Sequence, residues 1–181
     1  MTHSLDFIGL NAKLFMLRHF IAGNKEFSRR EQQYQGTQSS PSEDWDNYSQ
    51  RLRYLVSNDL IEIAAKFRVI QDTAASQLPS DYFRSLDKES LQGKEIGTVL
   101  AGDVKLTLRE FSNKIIHAEN FTLTFENARS TVPRYLYSYW NETCQLGGTY
   151  SKRPWRIALN VYRWADAMDY YREDLAGNVD W

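Results

Sequence analysis

The chain of 181 residues is 42% hydrophobic and 25% charged, with a formal net charge of −1 at pH 7. These values predict one domain over residues 1–181 and exclude a protein that holds nucleic acid by bulk electrostatics, because such domains are usually basic. A recessed local site remains compatible with them. The one cysteine, Cys144, excludes an internal disulfide and indicates a reducing compartment, where packing in a sheet is the usual role of such a thiol.

The first predicted helix runs from Asp6 to Ala22, with Ser4 as its N-cap and Gly23 as its stop. Its apolar run is interrupted by the titratable side chains of Asp6, Lys13, Arg18 and His19. The N-terminus therefore predicts neither a signal peptide nor a membrane span, and the expected location is cytoplasmic.

A polar stretch over about residues 24–41 has almost no aliphatic side chains, and we expect a mobile connection there. A long helix over residues 43–75 follows. Its apolar residues recur at alternating spacings of four and three, as Leu52, Val56, Leu60, Ile63, Phe67, Ile70 and Ala74. This continuous stripe is typical of a helix in an antiparallel bundle. Between glycines and prolines, a short helix near 80–90 and a short strand near 96–100 are predicted next.

The stretch "TLRE", from Thr107 to Glu110, has the pattern of a capping box and predicts a helix from Leu108 to Ala118. One face of this helix is apolar. On the other, Arg109, Asn113 and His117 recur every four residues, so their side chains can converge on one small anion.

Such a trio suits cleavage of a phosphodiester without a metal ion. His117 can exchange a proton with a ribose 2′-OH or a leaving 5′ oxygen. Arg109 can hold the phosphate and Asn113 can orient the groups, with Lys114 as the other cation available for substrate binding. The alternative is an ordinary solvated helix face.

The segment "NKIIHA" on this capped helix, after a long amphipathic helix that ends in "KFRVIQD", resembles HEPN domains, the higher-eukaryote and prokaryote nucleotide-binding family. The resemblance implies a helical bundle, a homodimer with the trio near its interface, and metal-independent endoribonuclease activity. The family signature is an arginine, four to six residues and a histidine, with a polar residue after the arginine. Asn113 and His117 match the signature, whereas Arg109 lies one turn early and Ser112 stands where an arginine would. Both an active site and a scaffold that binds without cutting stay open.

Strands are predicted after this helix. The segment "FTLTFE" alternates Phe121, Leu123 and Phe125 with polar residues, which indicates a strand with one buried face. The segments "RYLYSYW" and "TCQLGGTY" predict two more, with a turn at Asn141-Glu142 and a bulge or turn at Gly147-Gly148. The tyrosines of the second strand suit base stacking, a contact with another protein, or the cover of a helical core.

The last predicted helix starts at Pro154, a residue favoured in the first turn. Its apolar face is expected to contain Trp155, Ala158, Val161, Ala165 and Met168. Arg153, Arg156 and Arg163 are expected to form a basic edge near Trp155, and the first two are substrate-binding candidates. The alternative is a set of salt-bridged arginines on an outer helix face.

Together these patterns predict a mainly helical α+β protein: an antiparallel helix bundle with a small antiparallel sheet of about three strands before the C-terminal helix. The expected function is that of a HEPN-like protein, a metal-independent endoribonuclease of a bacterial or phage defence or toxin system, with RNA and a protein or antitoxin as partners. The alternative is a non-catalytic interaction or regulatory subunit that uses the aromatic sheet. No cofactor or metal is expected, because the sequence has no glycine-rich phosphate loop and its histidines lack ligand spacing.

Overall fold

The architecture is α+β, with more helix than strand. The computed structural model describes residues 6–33, 43–105, 107–131 and 134–179. Within these ranges lie five helices and four strands: α1 Phe7–Gln33, α2 Glu43–Ala74, α3 Ser80–Ser90, β1 Gly97–Ala101, α4 Leu108–Ile116, β2 Asn120–Thr131, β3 Arg134–Tyr150, β4 Arg153–Asn160 and α5 Val161–Asn178. None of the described helices is long and apolar enough to cross a membrane.

Helix α1 is longer than the sequence predicted. Asp6 caps its start, since Oδ1 of Asp6 accepts a hydrogen bond of 2.7 Å from the backbone N–H of Gly9. The predicted cap, Ser4, lies outside the described residues. The helix passes through Gly23 and ends at Gln33, so the predicted stop was wrong, as was the predicted mobile connection over residues 24–33. The rest of that connection lies outside the described residues.

The polar residues at the end of α1 are helical because they pair with the free edge of a strand. Strand β4 pairs with β3 only from Thr143 onward, which leaves the backbone of residues 134–142 open on that side. Nδ2 of Asn24 donates to the carbonyl of Trp140 at 2.8 Å. The Gln32 amide donates to the carbonyl of Ser138 at 2.6 Å and accepts from its N–H at 2.8 Å. These side chains satisfy backbone groups that an edge strand leaves unpaired.

Helix α2 confirms the prediction of a long amphipathic helix. Leu60, Ile63 and Phe67 are buried as expected, and the ring of Phe67 packs edge-on against Tyr171 with 4.9 Å between centroids. Around these residues α1 packs against α2, α5 and β3, while α4 packs against α2 and α3 against α5. One apolar core therefore joins the helices to the sheet.

The sheet has the strand order β1-β4-β3-β2, and all neighbouring strands are antiparallel. The short helix near 80–90 and the short strand near 96–100 are confirmed as α3 and β1, and the strand over 121–126 is confirmed within β2. The predicted turn at Asn141-Glu142 was wrong, because β3 runs through it. Glu142 has a φ of 68° in a bulge, where the N–H of Thr143 donates to Oδ1 of Asn141 at 3.1 Å.

The predicted helix start at Pro154 was also wrong. Residues 153–160 form β4, and the helix begins at Val161, where Oδ1 of Asn160 accepts from the N–H of Arg163 at 2.9 Å. The buried strand residues alternate with a period of two, as Trp155, Ile157 and Leu159. Val161, Ala165 and Met168 are buried in α5 as predicted.

A two-residue turn joins β3 to β4. Tyr150 pairs with Arg153, and the intervening Ser151 and Lys152 both have positive φ values, 48° and 66°. Positive φ at both central residues is the conformation of a type I′ hairpin, whose twist matches that of paired strands. The hairpin sets the end of β3 beside the start of β4, and both reach the end of α4.

Candidate functional site

Helix α4 is fixed at its start by two side-chain acceptors. Oγ1 of Thr107 accepts from the N–H of Glu110 at 3.1 Å, which confirms the predicted cap, and Oδ1 of Asp87 accepts from the N–H of Leu108 at 3.0 Å. The Glu110 carboxylate does not complete the capping box. It lies instead 3.5 Å from Nδ2 of Asn113 and 3.3 Å from Nζ of Lys114.

The apolar face of α4 is anchored on the sheet. Leu108, Phe111 and Ile115 are buried, and the ring of Phe111 lies against β1 at Gly97. A Cβ added at Gly97 would come within 3.0 Å of that ring and within 2.4 Å of the carbonyl oxygen of Ala158. The glycine therefore lets β1 approach both α4 and β4. The helix ends at Ile116, two residues before the predicted end, with His117 as its C-cap.

A cavity of about 680 Å³ opens at this C-terminal end of α4. Asn113, Lys114 and His117 reach it from α4, and the β3–β4 hairpin closes the other side. The lining residues are Asp103, Glu110, Asn113, Lys114, His117, Glu119, Thr149, Tyr150 and Trp155.

One wall of the cavity is aromatic. Nζ of Lys114 lies 4.7 Å from the centroid of the Trp155 ring and 5.7 Å from that of the Tyr150 ring. The Lys114 side chain is only 12% exposed, and Trp155 is buried, whereas Tyr150 is 73% exposed. A cation this close to aromatic faces is attracted by their quadrupoles. The exposed Tyr150 ring leaves a flat apolar surface next to a positive charge.

Gly148 permits this arrangement. A Cβ at that position would lie 2.8 Å from Cζ2 of Trp155 and 3.2 Å from the carbonyl oxygen of His117. The pair Gly147-Gly148 is therefore neither a turn nor a bulge; both residues pair with β4 inside β3. Sequence reasoning gave Trp155 only a packing role and did not single out Tyr150, although adjacent glycines within a strand are a signal of close approach by another group.

Arg109, the first residue of the predicted trio, is directed away from this cavity. Its Nη2 lies 2.7 Å from Oδ1 of Asp72 on α2, and its Nη1 donates to Oε1 of Gln71 at 3.4 Å. Arg68 shares the same Asp72 carboxylate at 3.3 Å. The structure thus brings Asn113 and His117 together in the cavity with Lys114, and places Arg109 in a separate ion-paired group.

The two other predicted substrate-binding residues lie near Trp155, on β4 rather than on a helix. Arg153 lines an adjoining cavity of about 260 Å³ that shares Lys114, Tyr150 and Trp155 with the first. Arg156 lines a groove of about 530 Å³ that also includes Glu119 and Trp155. Both arginines are exposed. Three predicted cations therefore surround one tryptophan.

Carboxylates reduce the net positive charge around the cavity. Asp103, Glu110 and Glu119 line the main cavity, and Oε1 of Glu119 accepts from the N–H of Thr149 at 3.1 Å. Such a mixed lining does not suit a long run of phosphates. It suits one phosphate at Lys114, with neutral hydrogen-bond donors such as nucleobase amino groups near the acids.

Cys144 takes no part in this site. It is fully buried in β3, and burial raises the pKa of its thiol, so the nucleophilic thiolate is disfavoured. Among the described residues, no group of three His, Cys, Asp or Glu side chains is placed to hold a metal ion.

Comparison of the chain with protein-family models, with curated proteins and with solved structures gave no match. Function is therefore inferred from the residues of the cavity and their geometry.

Proposed function

We propose that this protein binds RNA in the cavity beside Trp155 and cleaves it without a metal ion, as a HEPN-like endoribonuclease. One observation carries the proposal: His117 and Lys114 line the same cavity as the exposed ring of Tyr150. An imidazole titrates near neutral pH, an ammonium pairs with phosphate, and a tyrosine ring can stack on a base. The cavity thus offers proton transfer and charge stabilisation for cleavage of a ribose phosphodiester, and a surface on which a base can stack.

In this reaction His117 takes the proton of the ribose 2′-OH, and the 2′ oxygen attacks the adjacent phosphorus. The bond from phosphorus to the 5′ oxygen then breaks, and the imidazolium returns a proton to that leaving oxygen. The products are a 2′,3′-cyclic phosphate and a free 5′-OH. Lys114 stabilises the charge on the phosphoryl oxygens, and Asn113 donates a hydrogen bond to one of them. Lys114 thus takes the role that the sequence assigned to Arg109, since Arg109 is paired with Asp72.

Glu110 competes with the substrate phosphate in this scheme. Its carboxylate lies 3.3 Å from Nζ of Lys114 and 3.5 Å from Nδ2 of Asn113, the two donors assigned to phosphate. A phosphate can bind Lys114 and Asn113 only by displacing this carboxylate, so removing the Glu110 charge should strengthen RNA binding.

The wider assignment follows the family resemblance. Lys66 pairs with Asp6 and Lys13 with Asp59, so α1 and α2 run antiparallel, as in the bundle that we propose for the helices. Such an enzyme would act in the cytoplasm, in a defence or toxin system of bacteria or phages, with a protein antitoxin as its regulator.

A non-catalytic interaction protein is the second candidate. The aromatic stripe of β3 offers little free surface for it, because Tyr137 is buried and the hydroxyls of Tyr135 and Tyr139 donate to the Arg29 carbonyl and to Glu126. The observation that favours an interaction function is the exposed apolar face of α1.

The test is cleavage of single-stranded RNA in EDTA, with analysis of the product ends. We expect 2′,3′-cyclic phosphates, and His117→Ala should lower the rate by at least ~10²-fold, the usual size of one acid–base contribution. His19→Ala removes an exposed histidine of α1 that does not line the cavity and serves as the matched control. Intact RNA in both EDTA and magnesium, together with a lower melting temperature for His117→Ala, would make His117 a structural residue.

A further inference from the structure

We propose that the groove of about 530 Å³ beside the cavity is a subsite for a guanine base, so that the protein selects RNA at guanosines. This inference rests on the proposed function, because it assigns the nucleotide whose phosphate lies at Lys114. The groove and the cavity share Glu119, Thr149 and Trp155, so a base can occupy the groove while its phosphate enters the cavity. The volume is within the usual range of roughly 300–1,000 Å³ for small-ligand sites.

The groove lies on the outer face of the sheet, away from the core. Arg156 alternates along β4 with the buried Trp155 and Ile157, so its exposed side chain points to that outer face. In register, Arg156 lies opposite Gly147 on β3, and Gly147 lies opposite Asn120 on β2. Two strand spacings, about 10 Å, therefore separate Arg156 from the start of β2.

The floor of the groove is a glycine that the fold itself does not require. Gly147 is not among the glycines with positive φ, and a Cβ added to it would have the carbonyl oxygen of Trp155 as its nearest heavy atom, at 3.6 Å. That is ordinary van der Waals contact, in contrast to 2.8 Å at Gly148. A glycine weakens the interior of a strand and often marks the close approach of a ligand. The bare backbone at Gly147 is a flat surface against which a base can lie.

Opposite charges stand on the two sides of this floor. On one side is the guanidinium of Arg156, which forms no ion pair with a described residue. On the other side the N–H of Glu119 donates to the carbonyl of Gly147 at 2.9 Å, and Oε1 of Glu119 accepts from the N–H of Thr149 at 3.1 Å. A carboxylate has about four acceptor positions, so Glu119 can accept from a ligand as well.

Guanine is the base whose edges match this pair of charges. Its O6 and N7 are neighbouring acceptors that an arginine fork binds, and its N1–H and 2-amino group are neighbouring donors that a carboxylate accepts. Adenine would present its amino group to Arg156 and its unprotonated N1 to Glu119, so both contacts would be lost. Neither pyrimidine has two neighbouring acceptors beside two neighbouring donor groups. The groove therefore favours guanine over the other three bases.

Titrations with the 5′-monophosphates of guanosine, adenosine, cytidine and uridine test the subsite without cleavage, because these nucleotides contain no phosphodiester. The wild type should bind guanosine monophosphate at least ~10-fold more tightly than the other three, and Arg156→Gln should remove most of this preference. Arg129→Gln is the matched control, because it removes an exposed arginine of β2 that does not line the groove, and it should keep the preference. Equal affinities in the wild type would overturn the subsite. So would an equal loss for all four nucleotides in Arg156→Gln, because Arg156 would then bind phosphate.

Two further measurements locate the base. Gly147→Ala should weaken the binding of guanosine monophosphate while the melting temperature stays level or rises, because the added Cβ has room in the fold but occupies the floor. Inosine monophosphate lacks only the 2-amino group, so it should bind the wild type more weakly than guanosine monophosphate, and Glu119→Ala should remove that difference. Circular dichroism checks that the variants fold. Wild-type affinity in Gly147→Ala, or an inosine difference that persists in Glu119→Ala, would place the base elsewhere and overturn the subsite.

Failure of the subsite and failure of cleavage give different results. A preference for guanosine monophosphate together with intact RNA would support the subsite and exclude the nuclease. Equal cleavage beside all four nucleotides would support the nuclease and exclude the subsite.

Discussion

The two ends of helix α4 have similar side chains but different surroundings. At the N-terminal end Arg109 is held by Asp72 at 2.7 Å and by Gln71 at 3.4 Å. At the C-terminal end Lys114 and His117 line an open cavity. The four-residue spacing of Arg109, Asn113 and His117 places them on one face of the helix and does not distinguish its two ends. The difference teaches that helical spacing sets the face of a side chain, whereas neighbouring elements decide whether it can reach a ligand.

The neighbours differ because different parts of the chain reach the two ends. Helix α2 packs against α4 and supplies Asp72 to the first turn. The β3–β4 hairpin supplies Tyr150 and Trp155 to the last turn, where they contact Lys114 as aromatic rings. Both cations have a carboxylate partner, Asp72 for Arg109 and Glu110 for Lys114, but only Lys114 lines the cavity. The C-terminal end is therefore the one at which an anion in the cavity can reach a cation.

The largest expected effect concerns Phe111, which anchors both ends of helix α4. Phe111→Ala should lower the free energy of unfolding by about 3–5 kcal/mol, because the ring is fully buried between α4 and the sheet. Urea denaturation measures the loss, and RNA cleavage should fall with it, since both ends of α4 move. Phe125→Ala is the control, as Phe125 is partly exposed on β2. Equal losses in the two variants would show that α4 is not anchored through Phe111.

A second pair of variants separates the two ends directly. Lys114→Ala should weaken RNA binding at least ~10-fold, or about 1.4 kcal/mol, because it removes the cation that faces the cavity. Arg109→Ala removes the same charge from α4 but should change binding less than ~3-fold and stability by under ~1 kcal/mol, as expected for an exposed ion pair. Binding titrations at two salt concentrations measure both. If Arg109→Ala were the more damaging variant, the site would lie at the N-terminal end, as the spacing alone suggested.

Local sequence predicted what local interactions determine. The stripe of α2 and the Thr107 cap depend on residues within a few turns, and both are confirmed. The extension of α1 past Gly23 depends on the edge of β3, more than a hundred residues away in sequence. Spacing rules use only residues that are close in sequence, so they could not identify β3 as the partner. The polar end of α1 was therefore predicted to be a mobile connection.

Strand β4 was missed for a related reason. Trp155, Ala158 and Val161 are spaced by three and suit a helix, but pairing with β1 and β3 favours the competing alternation of Trp155 with Ile157. The candidate site also has a part that local sequence predicts and a part that it does not. The positions of Asn113 and His117 on one helix were predictable, whereas their proximity to Tyr150 in the cavity depends on the sheet register.

The smallest expected effect lies at the N-terminal end of α4, where Asp87 accepts a hydrogen bond from the N–H of Leu108. A carboxylate at a helix start is normally favourable, but burial outweighs that hydrogen bond here and raises the pKa of Asp87 above 3.8. The native state therefore binds this proton more tightly than the unfolded state. The stability contributed by protonated Asp87 is fully present below pH 3.8 and is lost as the pH rises through the native pKa.

Asp87→Asn keeps the acceptor oxygen and removes the charge. The variant should therefore be slightly more stable than the wild type at neutral pH, and the difference should shrink as the pH falls through the raised native pKa of Asp87 towards 3.8. Melting temperatures across this range measure it, with Asp81→Asn, which removes an exposed carboxylate from the same helix, as the matched control. A variant that is less stable at neutral pH, with the deficit shrinking in acid, would mean that the charge of Asp87 stabilises the start of α4. The start of α4 would then be held by the Asp87 carboxylate as well as by the Thr107 cap.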